Sequence, residues 1–363
     1  MPRRLCIPLP EAPGATAVGG KAASLGELIR AGLRVPPGFV VTTGAFATAM
    51  ARTDPDGRLR AGIGALAPAD LPGVTAAAGL LREQVSAPPL PGQVAAAITT
   101  AYAGLQRAAA ATGGTAGDPP LVAVRSSATL EDSARDSFAG LQDTYLAISG
   151  AGGLLDAVRR CWASLYNDES VAYRRRAGLP EARLAMAVVV QVMVSPRAAG
   201  VMFTRSPLTG DRSVVAIEGT WGLGSALVAG DVTPDSYTVS KVTGEITARR
   251  VSSKAITHFL VRNETGHRVT ETPAAQRDEP CLADDEIHAL AAVARRVEAC
   301  YGTPQDIEWA VLGGDAPAAE RVVLLQSRPE TVWSARDAAR KSPVATARPR
   351  PADHVVSLFG RRR

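Results

Sequence analysis

Two short segments near the end of the chain, QDIEWAVL (305–312) and RVVLLQSRP (321–329), hold carboxylates, an amide and an arginine at spacings that could bind a metal ion. Side chains alternate faces along a strand. Asp306 and Glu308 therefore share one face of the first segment, and Gln326 and Arg328 share one face of the second. The intervening GGDAPAAE reads as a hairpin connection. Folding about residue 316 or 317 brings Glu308 opposite residue 325 or 326, so a carboxylate stands beside the amide oxygen of Gln326. Hard oxygen ligands suit Mg2+, which takes one or two protein ligands and completes its shell with phosphate oxygens and water. The same residues also suit a plain surface ion pair between Glu308 and Arg328, since acid and base on adjacent strands commonly pair.

Three other stretches could serve a phosphate-bearing ligand. In VGGKAASLGE (18–27), two glycines allow close backbone approach, Lys21 supplies a point charge and a helix begins just after. The stretch lacks the GxxxxGK[ST] spacing of a Walker A loop. A simple turn with a solvated lysine fits it equally, but lysine is scarce: of 40 basic residues only Lys21, Lys241, Lys254 and Lys341 are lysines. In VAVRSSATLEDSARDSFAGLQDTYL (122–146), an apolar strand gives way to a hydroxyl-rich stretch dotted with Glu131, Asp132 and Asp136. Arg125, read at the strand end, can point into a cleft; the alternative is a polar surface loop. In VVVQVMVSP, Gln191 and Met193 end an apolar run and suit either a hinge whose backbone reads an adenine or a buried strand with a gap-filling methionine. The four histidines (258, 267, 288 and 354) are scattered, and no Ser–His–Asp order emerges.

These residues need rigid supports, and the sequence supplies them. GGKAASLGELIRAGL repeats apolar residues at helical spacing, the prolines after it end the helix, and GFVVTT reads as a strand. Residues 54–120 are rich in Ala, Pro and Gly and read as helices. AMAVVVQVMV is a central strand, apolar on both faces. DDEIHALAAVARRVEACYG is an amphipathic helix with acids at its start and Gly302 at its end. At 363 residues the chain suits two or three packed subdomains. Hydrophobic residues at 46% and charged residues at 21% exclude a disordered chain. No run of about 18 apolar residues predicts a membrane span, and the N-terminus lacks a signal-peptide apolar region. Four dispersed cysteines without CxxC spacing point to the reducing cytoplasm rather than to zinc or disulfides. The net charge of +5 sits partly in the basic C-terminus, and 4% aromatics provide no stacking platform, so nucleic acid is not an expected partner.

The ordered set GGKAASLGEL, VPPGFVVTTGAF, VRSSATLEDSARDSFAGLQDTYL, CWASLYNDESVAYRR, VVVQVMVSPRAAGVMFT, WGLGSALVAGDVTPDSY, YGTPQDIEWAV and LLQSRPET resembles the nucleotide-binding region of phosphoenolpyruvate synthase, pyruvate phosphate dikinase and rifampin phosphotransferase. The match runs from residue 18 to about 332. The resemblance implies an α+β, ATP-grasp-like fold with ATP and Mg2+ held between two lobes, here 1–190 and 191–334, followed by a flexible basic tail, 335–363. It implies that Lys21 and Arg125 contact phosphates, Gly140 and Thr144 cover them, and Gln191 and Met193 border the adenine. Glu308 and Gln326 would hold Mg2+ and nucleotide, with Asp306 and Arg328 close by. Family enzymes transfer the β-phosphoryl group of ATP to a histidine, on a swivelling domain with a GGxxSHAA-like context; no such stretch occurs here. The expectation is a stand-alone ATP-binding subunit, similar to the smaller subunit of phenylphosphate synthase. It would work with a phosphohistidine subunit in trans and a possible acceptor-binding subunit. Many relatives carry an acid after GLG where this chain has Ser225. That departure leaves room for a regulatory module that binds ATP without transferring phosphate.

Overall fold

The computed structural model describes residues 4–67, 69–111, 119–129, 132–133, 136–137, 143–181, 184–261 and 266–341. The first part of the chain forms β1 (Cys6–Pro8), α1 (Ala15–Arg30), β2 (Gly38–Val41) and helices α2 (Thr43–Thr53), α3 (Arg58–Ala65), α4 (Leu71–Ser86) and α5 (Gly92–Ala111). There follow β3 (Val122–Ala128), the short strands β4 (Asp132–Ser133) and β5 (Asp136–Ser137), β6 (Thr144–Ile148), α6 (Gly150–Ala163), α7 (Asp168–Ala177) and β7 (Met186–Val192). Five of these strands make one antiparallel sheet, ordered β1-β2-β7-β3-β6. The run MAVVVQV is apolar but for Gln191 because β7 is central and buried on both faces. Val188 and Val190 join a large core with Phe46 and Trp162, whose rings meet edge to face. Ala187 and Val189 pack instead with Ala22 and Leu25 of α1.

The second part adds β8 (Pro196–Phe203), β9 (Val214–Trp221), α8 (Ser225–Val228), β10 (Asp235–Ser240), β11 (Ile246–Arg250), β12 (Ile256–Phe259) and β13 (Arg268–Glu271). It ends with α9 (Ala274–Arg277), α10 (Asp284–Tyr301), β14 (Gln305–Leu312), α11 (Ala318–Arg321), β15 (Val322–Pro329) and α12 (Val332–Lys341). A second sheet runs β11-β10-β9-β8-β14-β15. One face buries Ile217, Tyr237, Ile307 and Trp309 against Leu290 and Val297 of α10. Leu28 of α1 enters this same core, so α1 is packed against both sheets. The amphipathic pattern of α10 explains its one-sided burial. Asp284, Asp285 and Glu286 stand in its first turn, and Gly302 closes it at φ 67°.

Two expectations are corrected. Arg125 lies in the middle of β3, not at its end, because Ser126, Ser127 and Ala128 continue the ladder to β7. Residues 335–341 belong to α12 rather than to a flexible tail. That helix is fixed at its start, where Glu330 accepts the Trp333 and Ser334 backbone N–H groups and Trp333 donates to Pro207 O. Arg205, almost fully buried, pairs with Asp337 of the helix at 2.9 Å. Residues 342–363 lie outside the described residues. β7 ends at Val192 in the first sheet and β8 begins at Pro196 in the second, so the chain changes sheets at 193–195.

Among the described residues no helix is long and apolar enough to cross a membrane. The four cysteines are free thiols, and burial pushes the Cys6 thiol up to about 12.

Candidate nucleotide and metal site

The β14–β15 hairpin pairs Glu308 with Gln326 and Asp306 with Arg328. A register shift follows Glu308, where Trp309 pairs with Leu324 and Leu325 is left as the bulged residue. The cross-strand ion pair on this hairpin is Asp306–Arg328 at 3.2 Å, not Glu308–Arg328. Burial pushes the Asp306 carboxyl up, while the Arg328 guanidinium pulls it back. Glu308 pairs with Val201 of β8, which pairs with Glu218 of β9, so all three share the sheet face opposite the α10 core.

Arg125 enters this face from the first sheet. It pairs with Val189 on one side and Thr144 on the other, and directly paired residues share a face, here the one packed on α1. Its Nη1 donates to Glu308 Oε2 at 3.2 Å, Gln326 Oε1 at 3.2 Å and Leu325 O at 3.5 Å. Its Nε is buried with no hydrogen-bond partner among the described residues.

Lys21 reaches the same strand, its Nζ donating to Ser126 O at 3.0 Å. It is placed by a break in α1 at Gly19, which takes φ 74° and ψ 168°. The helix proper therefore starts beside Lys21, as an anion-binding turn requires. Ser127 holds that start: its Oγ donates to Val18 O and accepts from the Ala22 N–H. A Cβ at Gly19 would lie 2.0 Å from Ser127 O. Gly19→Ala is thus expected to push α1 off β3 and strain a left-handed backbone, costing roughly 2 kcal/mol or more. Thermal unfolding with nucleotide titration checks it; unchanged ATP affinity would show that the Gly19 turn does not position Lys21.

The structure brings Arg125, Glu308 and Gln326 into contact, with Thr144 paired to Arg125, Lys21 on the carbonyl of Ser126, and Asp306 and Arg328 on the same hairpin. Thr144 is exposed opposite Arg125. Gln191 and Met193 lie farther along, where the chain leaves the first sheet. Gln191 is buried and donates to Pro36 O at 3.4 Å, and the Met193 sulfur accepts the Ala147 N–H at 3.0 Å. Nearby, Ala199, Ala310 and Val323 form a small apolar cluster with Val194 and Leu325 against it. Gly140 and Glu131 lie outside the described residues.

The donor set suits a hard divalent cation. Glu308 and Gln326 present a carboxylate and an amide oxygen to one point, both 3.2 Å from the same nitrogen. No group of three or more His, Cys, Asp or Glu side chains suited to a metal occurs among the described residues, which excludes a soft or all-protein cage there. The buried Arg125 Nε is a donor without a partner among the described residues, and Lys21 reaches the carbonyl of the next residue.

Sequence spacing misses one cluster. His258 of β12 stacks on His267, the residue just before β13, ring centroids 4.2 Å apart. His258 Nδ1 shares a 3.0 Å hydrogen bond with Ser225 Oγ, and its Nε2 lies 3.4 Å from Asp231. The histidines read as scattered because the strands that align them are only four residues each. Burial, then His267, lowers the His258 pKa, while Asp231 raises it. The unfolded chain therefore takes up this proton first as pH falls below about 6.5, and the stabilisation from neutral His258, complete above that pH, is lost on acidification. Urea midpoints measured across this range are expected to fall for the natural chain and to fall less for His258→Gln. Equal slopes would remove His258 as the cause.

Two mixed lobes holding a lysine, an arginine and an oxygen-donor pair between them define an α+β ATP-grasp-like nucleotide-binding domain. The sequence matches the family described as the pyruvate phosphate dikinase AMP/ATP-binding domain over residues 15–348, and the chain belongs to that family. It is 45% identical over 314 residues to a rifampicin phosphotransferase of a Streptomyces species, covering 85% of this chain and 34% of that protein. It is 42% identical to a probable phosphoenolpyruvate synthase of Methanothermobacter thermautotrophicus, covering 86% of this chain and 44% of the relative. Identity to a phosphoenolpyruvate synthase of Aeropyrum pernix is 39%, over 93% of this chain and 43% of the relative. The chain thus spans less than half the length of these relatives.

Proposed function

We propose that this chain is the ATP-binding component of a phosphotransferase that moves the β-phosphoryl group of Mg–ATP to a histidine on a separate partner subunit, releasing AMP and phosphate. The observation that carries the reading is the convergence of Arg125 with the Glu308 and Gln326 oxygens across the two lobes, with Lys21 beside it. Glu308 and Gln326 would hold Mg2+, which when bound neutralises charge on the phosphate oxygens. Arg125 and Lys21 would bind those oxygens as fixed cations, and positioning with electrostatics carries most of such a barrier. The histidine nitrogen forms a bond to the β-phosphorus, the bond from that phosphorus to the AMP oxygen breaks, and AMP leaves with its electron pair. The γ-phosphoryl group then passes to water or phosphate. Thr144, and Gly140 in the same loop, would cover the phosphates. Gln191 and Met193 would border the adenine, next to the apolar cluster of Ala199, Ala310 and Val323. The first lobe would comprise residues 1–190 and the second 191–334.

The test mixes this chain with a histidine-bearing partner of GGxxSHAA type and ATP labelled at the β-phosphorus. Label on the partner histidine together with free AMP is the expected result. Unlabelled partner with both proteins folded overturns the transfer reading. If ATP still binds in that case, the chain is an ATP-holding regulatory module.

A further inference from the structure

The three oxygens around Arg125 Nη1 form an arrangement better matched to a metal ion than to an amine group. The nitrogen carries two hydrogens but faces three acceptors: Glu308 Oε2, Gln326 Oε1 and Leu325 O, at 3.2, 3.2 and 3.5 Å. A spherical cation has no such directional limit. Leu325 is the bulged residue of β15, so its carbonyl is turned out of the ladder toward the same point. Meanwhile the Nε of the same guanidinium is buried without a partner among the described residues. The arginine is over-supplied with acceptors at one nitrogen and has none at another.

From this we infer that Arg125 and the divalent cation are mutually exclusive occupants of one oxygen site, so that the metal enters only with a nucleotide whose phosphates draw Arg125 away. The inference rests on the reading of Glu308 and Gln326 as metal ligands. A guanidinium nitrogen about 3 Å from both ligand oxygens leaves no room for an ion that must approach them to about 2.1 Å, and the two positive charges repel at that range. The exchange has a destination on the page. Arg125 and Ser127 lie on one face of β3, where Lys21 and the restarted α1 helix make a positive, amide-rich corner. Arg125 gives its charge to Glu308 in one arrangement and to phosphate in the other. Free Mg2+ alone would then leave the site as it stands, and nucleotide and metal would bind with strong mutual assistance.

Mn2+ binding to the full chain, followed by electron paramagnetic resonance without and with a non-hydrolysable ATP analogue, tests this. The natural chain is expected to bind Mn2+ weakly alone and far more tightly with the analogue. Arg125→Ala is expected to bind Mn2+ alone about tenfold more tightly, as a competitor occupying the site most of the time implies. It should also lose most of the assistance from the analogue. Arg125→Gln, checked for folding by circular dichroism, stands in if the alanine variant does not fold. The gain should disappear when Glu308→Gln is added. If neither Arg125 variant binds Mn2+ more tightly, while Glu308→Gln still weakens Mn2+ binding with the analogue, the exchange is wrong and the metal assignment survives. If Glu308→Gln changes nothing in either condition, the metal assignment fails and the exchange fails with it.

Discussion

Glu308→Ala is expected to abolish Mg–ATP-dependent phosphoryl transfer while leaving the fold intact. Among the described residues Glu308 is the one carboxylate on Arg125 Nη1 beside the Gln326 oxygen, so its loss removes the strongest cation ligand there. Losing a group that acts on developing charge costs at least about a hundred- to a thousandfold in rate. A metal ligand should stand at the upper end, since the cation and its neutralising charge go together. The structural cost is small by comparison. Its side chain is 37% exposed, and its single ion pair among the described residues is with Arg125, itself a site residue. Trp309 on the opposite face, fully buried in the second core, keeps β14 in place. The discriminating measurement is transfer of β-labelled phosphate beside a urea melt. Transfer near the natural rate would remove Glu308 from the metal site. Loss of transfer with a collapsed melt would mark it as structural instead.

The largest effect on stability is expected outside the site, at Asp235. Its carboxylate is fully buried and takes the Lys254 ammonium at 2.6 Å, the backbone N–H groups of Ser252 and Cys281, and the Tyr237 hydroxyl. One short side chain thereby ties β10 to the segment after β11 and to the chain entering α10. Asp235→Ala would strand a buried ammonium and leave buried donors unpaired. Breaking such a pair from one side costs about 3–5 kcal/mol. Lys254→Ala should cost a similar amount, because it leaves the carboxylate uncompensated. Replacing both together should cost less than the sum, since neither charge is then left alone. Denaturant unfolding of the two single variants and the double variant checks this. Additive losses would show that the pair does not act as a unit. The scarcity of lysine gains a physical meaning here: Lys21, Lys241 and Lys254 each place a point charge on specific oxygens.

Much of the second sheet could be read directly. Period-two alternation in 305–312 and 321–329, with a connection of known length, brings Glu308 opposite residue 325 or 326, because strand geometry leaves few registers. The eight ordered motifs likewise carried the family and the two-lobed α+β class. The same local reasoning places Arg125 at a strand end, because the apolar run turns polar there. Tertiary context overrides that reading: Ser127 is consumed by the Val18 and Ala22 backbone, which keeps 126–128 in the ladder. Residues 335–341 escape the sequence for a related reason: they continue α12. Beside the local Glu330, its anchors Arg205 and Pro207 stand more than a hundred residues earlier, and composition carries no trace of them.

What the sequence by itself determined is the set of charged and oxygen-bearing groups and their order along each strand, because those follow from short-range periodicity. What only the tertiary structure decided is who meets whom across the cleft. Arg125 is separated from Glu308 by 183 residues, Lys21 from Ser126 by 105, and His258 finds Ser225 and His267 through turns and short strands. At the Arg125 and Lys21 contacts, α1 packs against both sheets and a bulge stands at Leu325. Burial and close approach fix these features, and a linear pattern of residue types does not encode them.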